Sequence, residues 1–94
     1  MGVQELDSQA ARTDTGVVLL SVDRETMRAE YRGRNVILPV DRGIGSHGIY
    51  LPRVPAWDDG EPIPAEDLAV IKDAVVEVLR HWGTDTEFIT LGGA

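Results

Sequence analysis

The chain contains no cysteine, and aromatic residues make up only 5% of its 94 positions. Without cysteine it has neither a disulfide framework nor a thiolate zinc site. No apolar run exceeds four residues, whereas a membrane-spanning helix needs about 20. The first residues also lack a basic segment leading into an apolar run, so we expect no secretory signal. These absences predict a cytoplasmic protein with no membrane partner.

Basic residues are also scarce, and they are unevenly placed along the chain. The net charge is −7; residues 1–57 balance seven acids against seven arginines, whereas residues 58–94 carry nine acids and two bases. A protein that binds a phosphate backbone needs a clustered basic face, so we expect no nucleic-acid partner. The acidic half is explained either by solubility alone or by a basic protein partner, because opposite charges steer encounter.

The length and the hydrophobic pattern predict one α+β domain over residues 16–92, preceded by a flexible polar arm over residues 1–15. Short β-branched or alternating segments predict four strands, at Val17–Val22, Thr26–Tyr31, Asn35–Val40 and Ile49–Leu51. Arg32-Gly33 is typical of a hairpin turn. Pro39 lacks a backbone donor, so we expect the third strand to lie at a sheet edge or to end there.

One long helix is predicted from Ala65 to about Trp82, after Pro64 and before Gly83. Its apolar residues recur every three or four positions, at Leu68, Ile71, Val75, Val78, Leu79 and Trp82. A last strand is predicted over Thr86–Leu91. The expected order is β-β-β-β-α-β, a small antiparallel β-sheet with the amphipathic helix packed on one face.

No residue pattern predicts catalysis. Residues 43–48 spell GxGxxG, but an extended segment follows, whereas a dinucleotide site needs a helix there. Ser46 and His47 are adjacent, so in an extended chain they point apart, with Asp41 nearby. His47 and His81 lie in no metal-binding motif. We therefore expect no catalytic residue, no cofactor and no metal, and a protein that is not an enzyme.

The arginines of the β-rich half lie close together in sequence. Five of them are Arg28, Arg32, Arg34, Arg42 and Arg53. They are compatible with a small anion-binding surface, although the balanced acids around them favour an ordinary solvated face.

The candidate partner-binding residues lie in the proline-flanked turn before the helix. They are Trp57, Asp58, Asp59 and Glu61. Turn chemistry and the helix dipole explain most acids of this region, but a rigid aromatic beside charges is also typical of an interface. Two alternatives stay open for Trp57: a ring buried in the core, or an exposed anchor for a partner.

The same region resembles a known family. Its pattern is Trp57-(x4)-Pro62-Ile63-Pro64-Ala65-Glu66-Asp67-(x3)-Ile71-(x3)-Val75-(x3)-Leu79-(x3)-Gly83-(x3)-Glu87. It is similar to the bacterial polymorphic-toxin immunity proteins of immunity protein family 74, mainly over residues 48–90, with Pro64-Ala65 where that family has serine or threonine. The resemblance implies a non-enzymatic inhibitor that binds and neutralises a cognate toxin, and the charge suits a basic, nuclease-like one. The alternative is a small homo-oligomeric or accessory protein-interaction domain, in which a homodimer would form.

Overall fold

The computed structural model describes residues 2–43 and 45–90, and these form seven strands and one helix. The elements in chain order are β1 (Val3–Asp7), β2 (Ala10–Thr13), β3 (Val18–Asp23), β4 (Thr26–Tyr31), β5 (Arg34–Arg42), β6 (Ser46–Leu51), α1 (Ala65–His81) and β7 (Asp85–Thr90). The strands lie in one sheet in the same order as in the sequence. The predicted small sheet with one helix is confirmed, but the order β-β-β-β-α-β is wrong, because six strands precede the helix.

The strands pair as an antiparallel meander up to β6, and β7 then pairs with β6 in parallel. A parallel step needs a long crossover connection, which α1 supplies. The predicted last strand reaches Leu91, but Leu91 lies outside the described residues, as does Gly92, the predicted end of the domain.

The first fifteen residues correct the sequence prediction. They were expected to form a flexible arm, but β1 and β2 make a hairpin that continues the sheet. Its turn is closed by the backbone N–H of Gln9, which donates to Oδ1 of Asp7 at 2.7 Å. Ala10, Ala11 and Thr13 are buried. Small and hydroxyl-bearing residues give little hydrophobic contrast, so the alternation that marks a strand is weak here.

The β4–β5 hairpin forms as predicted. Arg32 and Gly33 have positive φ angles of 54° and 76°, the combination that a two-residue type I′ turn requires. This turn brings β5 directly beside β4, with Tyr31 opposite Arg34.

Strand β5 is neither an edge strand nor ended by Pro39, so that prediction is wrong. The backbone N–H of Val40 donates to the carbonyl of Glu25 at 2.9 Å, on the β4 side. Because successive N–H groups alternate, the nitrogen of Pro39 faces the β6 side. The pairing with β6 covers only residues 40–42. Pro39 is still paired with Thr26 of β4, and its missing donor points to the β6 side just before the pairing with β6 begins.

Helix α1 covers one face of the sheet and forms the core with it. Five helix residues are buried, namely Ile71, Ala74, Val75, Val78 and Leu79, and Leu68 and Trp82 pack partly buried against them. The predicted apolar stripe is thus confirmed, and each fully buried aliphatic side chain stabilises the fold by about 1.5–3 kcal/mol. The helix contacts β7 as well as β1, β2 and β3. The sheet therefore curves around it.

Candidate partner-binding site

The chain between β6 and α1 folds back on itself into a short antiparallel loop. Ala56 bridges to Pro62, and the N–H of Ile63 donates to the carbonyl of Pro55 at 2.9 Å. This loop carries residues 57–61 at its tip, which we call the acidic turn. Because its two ends are joined by backbone hydrogen bonds, the acidic turn has a defined shape and orientation.

The backbone of the acidic turn is closed internally. The N–H of Trp57 donates to the carbonyl of Glu61 at 2.8 Å, and the N–H of Gly60 donates to the carbonyl of Trp57 at 2.9 Å. Gly60 has a φ of +93°, a conformation that side chains disfavour. The N–H of Asp58 donates to the carbonyl of Asn35 in β5 at 2.8 Å. The turn is therefore fastened to the sheet as well as to itself.

Trp57 is the apolar anchor of the turn. Its side chain is only 4% exposed and belongs to the main hydrophobic core. The guanidinium of Arg34 lies 5.1 Å from the centre of its ring, within the range of a cation–π contact. Its Nε1 has no hydrogen-bond partner within the described residues. The structure thus decides between the two alternatives for Trp57 in favour of the core, and the exposed-anchor alternative is wrong.

Asp59 is held by Arg34, twenty-five positions earlier. Nη2 of Arg34 donates to both carboxylate oxygens, at 3.0 Å to Oδ1 and 2.8 Å to Oδ2. Oδ1 also accepts from the backbone N–H of Glu61 at 2.9 Å. The Glu61 N–H, and after it the Arg34 side chain, lower the pKa of Asp59 below its ordinary value. Asp59 therefore braces the turn, and its charge is balanced.

Asp58 and Glu61 are different, because both are exposed and neither side chain has an ion pair or hydrogen bond within the described parts of the chain. The structure thus divides the four predicted partner-binding residues. Trp57 fixes the turn to the hydrophobic core, and Asp59 bonds it to Arg34 and to the backbone of Glu61. Asp58 and Glu61 present free carboxylates to solvent.

A second contact ties the same corner to the start of the helix. Nη1 of Arg32 lies 3.8 Å from Oδ1 of Asp67 in the first turn of α1, and the Arg32 guanidinium lies 5.1 Å from the ring centre of Tyr31. Glu66 is exposed beside them. Residues 57–67 thus carry five carboxylates, at positions 58, 59, 61, 66 and 67, and only Asp59 and Asp67 pair with a guanidinium within the described residues. The corner keeps a surplus of negative charge.

The predicted arginine cluster is dispersed in the fold. Arg28 pairs with Glu30 at 3.2 Å on the outer side of β4, while Arg32 and Arg34 bind carboxylates at the acidic corner. Arg42 binds the β3–β4 turn. Since these guanidiniums bind protein acceptors in separate places, they do not form one anion-binding surface.

The GxGxxG segment of residues 43–48 leads into a strand and not into a helix. Strand β5 runs to Arg42 and β6 begins at Ser46, so Gly48 lies within β6; Ile44 lies outside the described residues. Nε2 of His47 lies 3.3 Å from Nη1 of Arg42. The hydroxyl of Tyr50 donates to Asp41 at 3.4 Å. His47 and Asp41 thus contact different side chains, and within the described residues no hydrogen bond joins Ser46 to His47 as in a nucleophile–base pair.

An open cleft of about 500 Å³ lies beside this segment. Its lining residues are Arg24, Glu25, Val40, Asp41, Arg42 and Tyr50. The Arg42 donors are already engaged, and acids and bases alternate around the rim, so the cleft has no single charge preference. His81 lies elsewhere, 3.4 Å from a carboxylate oxygen of Glu5. Within residues 2–43 and 45–90, no group of three acids or histidines is placed to hold a metal ion.

Sequence reasoning missed Arg34 as a member of the site. Its partner Asp59 is separated from it by a hairpin turn, two strands and a proline-rich connection. No periodic pattern reports on such a contact. The one available signal was its position directly after the Arg32-Gly33 turn, where a strand begins.

Within residues 2–43 and 45–90, no helix is both long enough and apolar enough to cross a membrane. No protein-family model, curated protein or solved structure matches the chain. The functional interpretation therefore depends on the geometry and charge of the acidic corner.

Proposed function

We propose that this chain is a non-enzymatic immunity protein, which binds a cognate bacterial toxin and neutralises it. The observation that carries the proposal is the acidic turn, where Asp58 and Glu61 present unpaired carboxylates on a backbone held in place by Trp57 and by the Arg34–Asp59 pair. The partner surface is basic, and the inhibitor acts by covering it.

The rigidity of the turn favours binding. Ordering a loop on association costs free energy, so a loop that is already ordered keeps more of the contact energy. The Asp58 backbone is bonded to β5 and the Glu61 backbone to Trp57 and Asp59. Two carboxylates therefore meet a partner in a fixed arrangement.

The distribution of charge favours a basic partner. The surplus of acids lies at the turn and along α1, where Asp73 and Glu77 are exposed. Complementary charge raises the association rate and disfavours acidic partners. A nuclease-type toxin fits this description, because its substrate groove must attract phosphate.

The four residues of the turn have two different roles in the proposal. Asp58 and Glu61 contact the toxin, whereas Trp57 and Asp59 hold the turn. Replacing Asp59 by lysine would place a second cation beside Arg34 and disrupt the turn itself. Binding is therefore tested at Asp58 and Glu61.

The test uses the purified C-terminal domain of a large secreted toxin encoded directly beside this protein. Titration calorimetry measures Kd, and co-expression measures growth protection. For the double variant Asp58→Lys plus Glu61→Lys we expect Kd to rise about tenfold or more, with an unchanged circular dichroism spectrum.

The matched control is Asp73→Lys plus Glu77→Lys, the same change of charge on the exposed side of α1. This control should change Kd by less than about threefold. If both double variants raised Kd equally, the turn would contribute only its charge and not a specific contact. A folded turn variant that still protects cells as well as the natural protein would contradict the proposed site.

A further inference from the structure

The face of the sheet opposite α1 carries a surface of mixed aliphatic and polar residues across its three central strands. We call it the open face. By strand register it consists of three cross-strand rows, Val18–Glu30–Asn35, Leu20–Arg28–Ile37 and Thr26–Pro39. These residues alternate with Leu19, Met27, Ala29, Val36 and Leu38, which are buried on the other side. The open face is thus the outer surface of the same strands that form the core.

The aliphatic residues of the open face are not fully covered by the described chain. Ile37 is 49% exposed, Pro39 is exposed, and Val18 and Leu20 are partly buried. Scattered exposed aliphatic residues are common on protein surfaces. Here, however, they form two pairs, Val18 with Leu20 on β3 and Ile37 with Pro39 on β5, one on each side of the polar residues of β4.

Arg28 and Glu30 are the two charged residues of the open face. They lie on the same side of β4, and Nη2 of Arg28 is 3.2 Å from Oε2 of Glu30. Their charges cancel, although the whole chain carries −7. The Nε of Arg28 is buried without an acceptor within the described residues. The open face is therefore neutral, and its central ion pair leaves one donor unused.

We propose that the open face binds a second copy of this chain in a two-fold symmetric dimer. A two-fold axis between the facing sheets, crossing β4 at the level of Ala29, places Arg28 of each copy opposite Glu30 of the other. An isologous interface needs such a self-complementary pair. Two molecules of charge −7 repel each other least through a neutral face, and α1 with its exposed acids lies on the opposite side of each sheet.

The size of the face sets the strength of the dimer. Three strands about 4.8 Å apart, each about six residues long at 3.3 Å per residue, outline roughly 14 × 20 Å, or about 300 Å² in projection. A standard interface buries about 800 Å² on each partner. The open face is well below that size, so the dimer is weak and reversible, with a Kd of roughly 0.1–1 mM.

Sedimentation equilibrium of the full chain, over a concentration series up to millimolar, tests the proposal. Ile37→Lys places a charge in the interface and should raise the dimer Kd about tenfold or more. Val54→Lys is the control, because Val54 is 69% exposed but lies outside the sheet, and it should leave Kd unchanged. A monomer at every concentration, or equal effects of the two lysine variants, overturns the proposal.

Two charge reversals test the two-fold geometry separately from the apolar contact. Arg28→Glu alone opposes two carboxylates across the axis, and Glu30→Arg alone opposes two guanidiniums, so each variant should dimerise more weakly than the natural chain. Mixing the two variants should restore dimerisation, because every cross-axis pair in the heterodimer is then of opposite sign. A mixture that associates no better than the separate variants overturns the assigned axis and the interface with it.

Discussion

The two ends of β5 each carry an arginine that ties a distant loop to the sheet, but the two arginines bind different groups. Arg34, the first residue of the strand, binds the carboxylate of Asp59 and covers the ring of Trp57. Arg42, the last residue, donates to the carbonyls of Arg24 and Asp23, at 2.9 and 3.1 Å. It also donates to the hydroxyl of Ser21 at 2.7 Å and contacts the His47 ring.

This difference separates a surface that presents charge from one that fastens the fold. At the Arg34 end one cation is balanced by Asp59, so the carboxylates of Asp58 and Glu61 stay unopposed. At the Arg42 end the acceptors are two backbone carbonyls and a hydroxyl, and the guanidinium holds the β3–β4 turn against the second half of β5. The first end therefore has the features of a binding site, and the second those of a structural clamp.

The largest expected effect is at the apolar base of the Arg34 end. Trp57→Ala should lower the free energy of unfolding by about 3–5 kcal/mol, because a large buried ring is replaced by a cavity. Urea denaturation of this variant measures the loss. Val54→Ala, at a 69% exposed position, should stay within about 0.5 kcal/mol of the natural chain. Similar stabilities of the two variants would show that Trp57 does not support the turn.

Removing the Arg42 hydrogen bonds should lower the free energy of unfolding less than removing the Trp57 ring does, but more than replacing the exposed acids. Arg42→Met keeps much of the side-chain volume but removes the hydrogen bonds to two carbonyls and a hydroxyl. We expect a loss of about 1–2 kcal/mol, because these acceptors are exposed and water replaces the guanidinium. Binding of the toxin domain should be unchanged. Weaker binding at equal stability would place Arg42 in the interface.

Acidification should distinguish the two ends. The pKa of Asp59 lies below its ordinary value of 3.8 in the folded state, so its contribution to stability is fully present above 3.8 and is lost as the pH falls from there towards the folded pKa. Asp59→Asn should therefore be less stable than the natural chain at neutral pH, and the two should converge in strong acid. Urea midpoints at a series of pH values measure this convergence.

The matched comparison for acid is Arg42→Met. Among the described residues its hydrogen-bond partners include no carboxylate, so the deficit in its free energy of unfolding relative to the natural chain should stay constant between about pH 5 and pH 3. A deficit of Asp59→Asn that also stays constant over that range would show that the Arg34–Asp59 pair adds nothing to stability.

Local patterns predicted the elements whose signals lie within a few residues. The helix followed from the three- and four-residue spacing of Ile71, Val75 and Val78, and the β4–β5 hairpin followed from Gly33. The β1–β2 hairpin did not, because Ala11 and Thr13 fill their buried positions with small side chains that give no contrast. Alternation shows which face of a strand is buried, but not which strands are neighbours. The sequence therefore could not predict that β7 pairs with β6 in parallel.

The candidate site was predicted in part for the same reason. The acids and prolines of residues 57–61 are visible in the sequence, and so is their charge. Asp59 is the acid whose charge is neutralised, because it pairs with Arg34. This ion pair forms only when β5 and the connection before α1 lie side by side in the folded chain. Burial of Trp57 likewise depends on the core that α1 completes, so the sequence alone left both alternatives open.

The smallest expected effect on stability belongs to the pair that the proposal makes most important for binding. Asp58→Asn plus Glu61→Gln removes two charges but no contact to a side chain within the described residues, so the free energy of unfolding should stay within about 0.5 kcal/mol of the natural chain. Within that range we expect the free energy of unfolding to rise slightly, because the corner loses two negative charges beside Glu66. The same variant should bind the toxin domain more weakly and with a smaller dependence on salt. A marked loss of stability would mean that these carboxylates hold the turn, as Asp59 does, and would remove the distinction between the residues that support the site and those that present it.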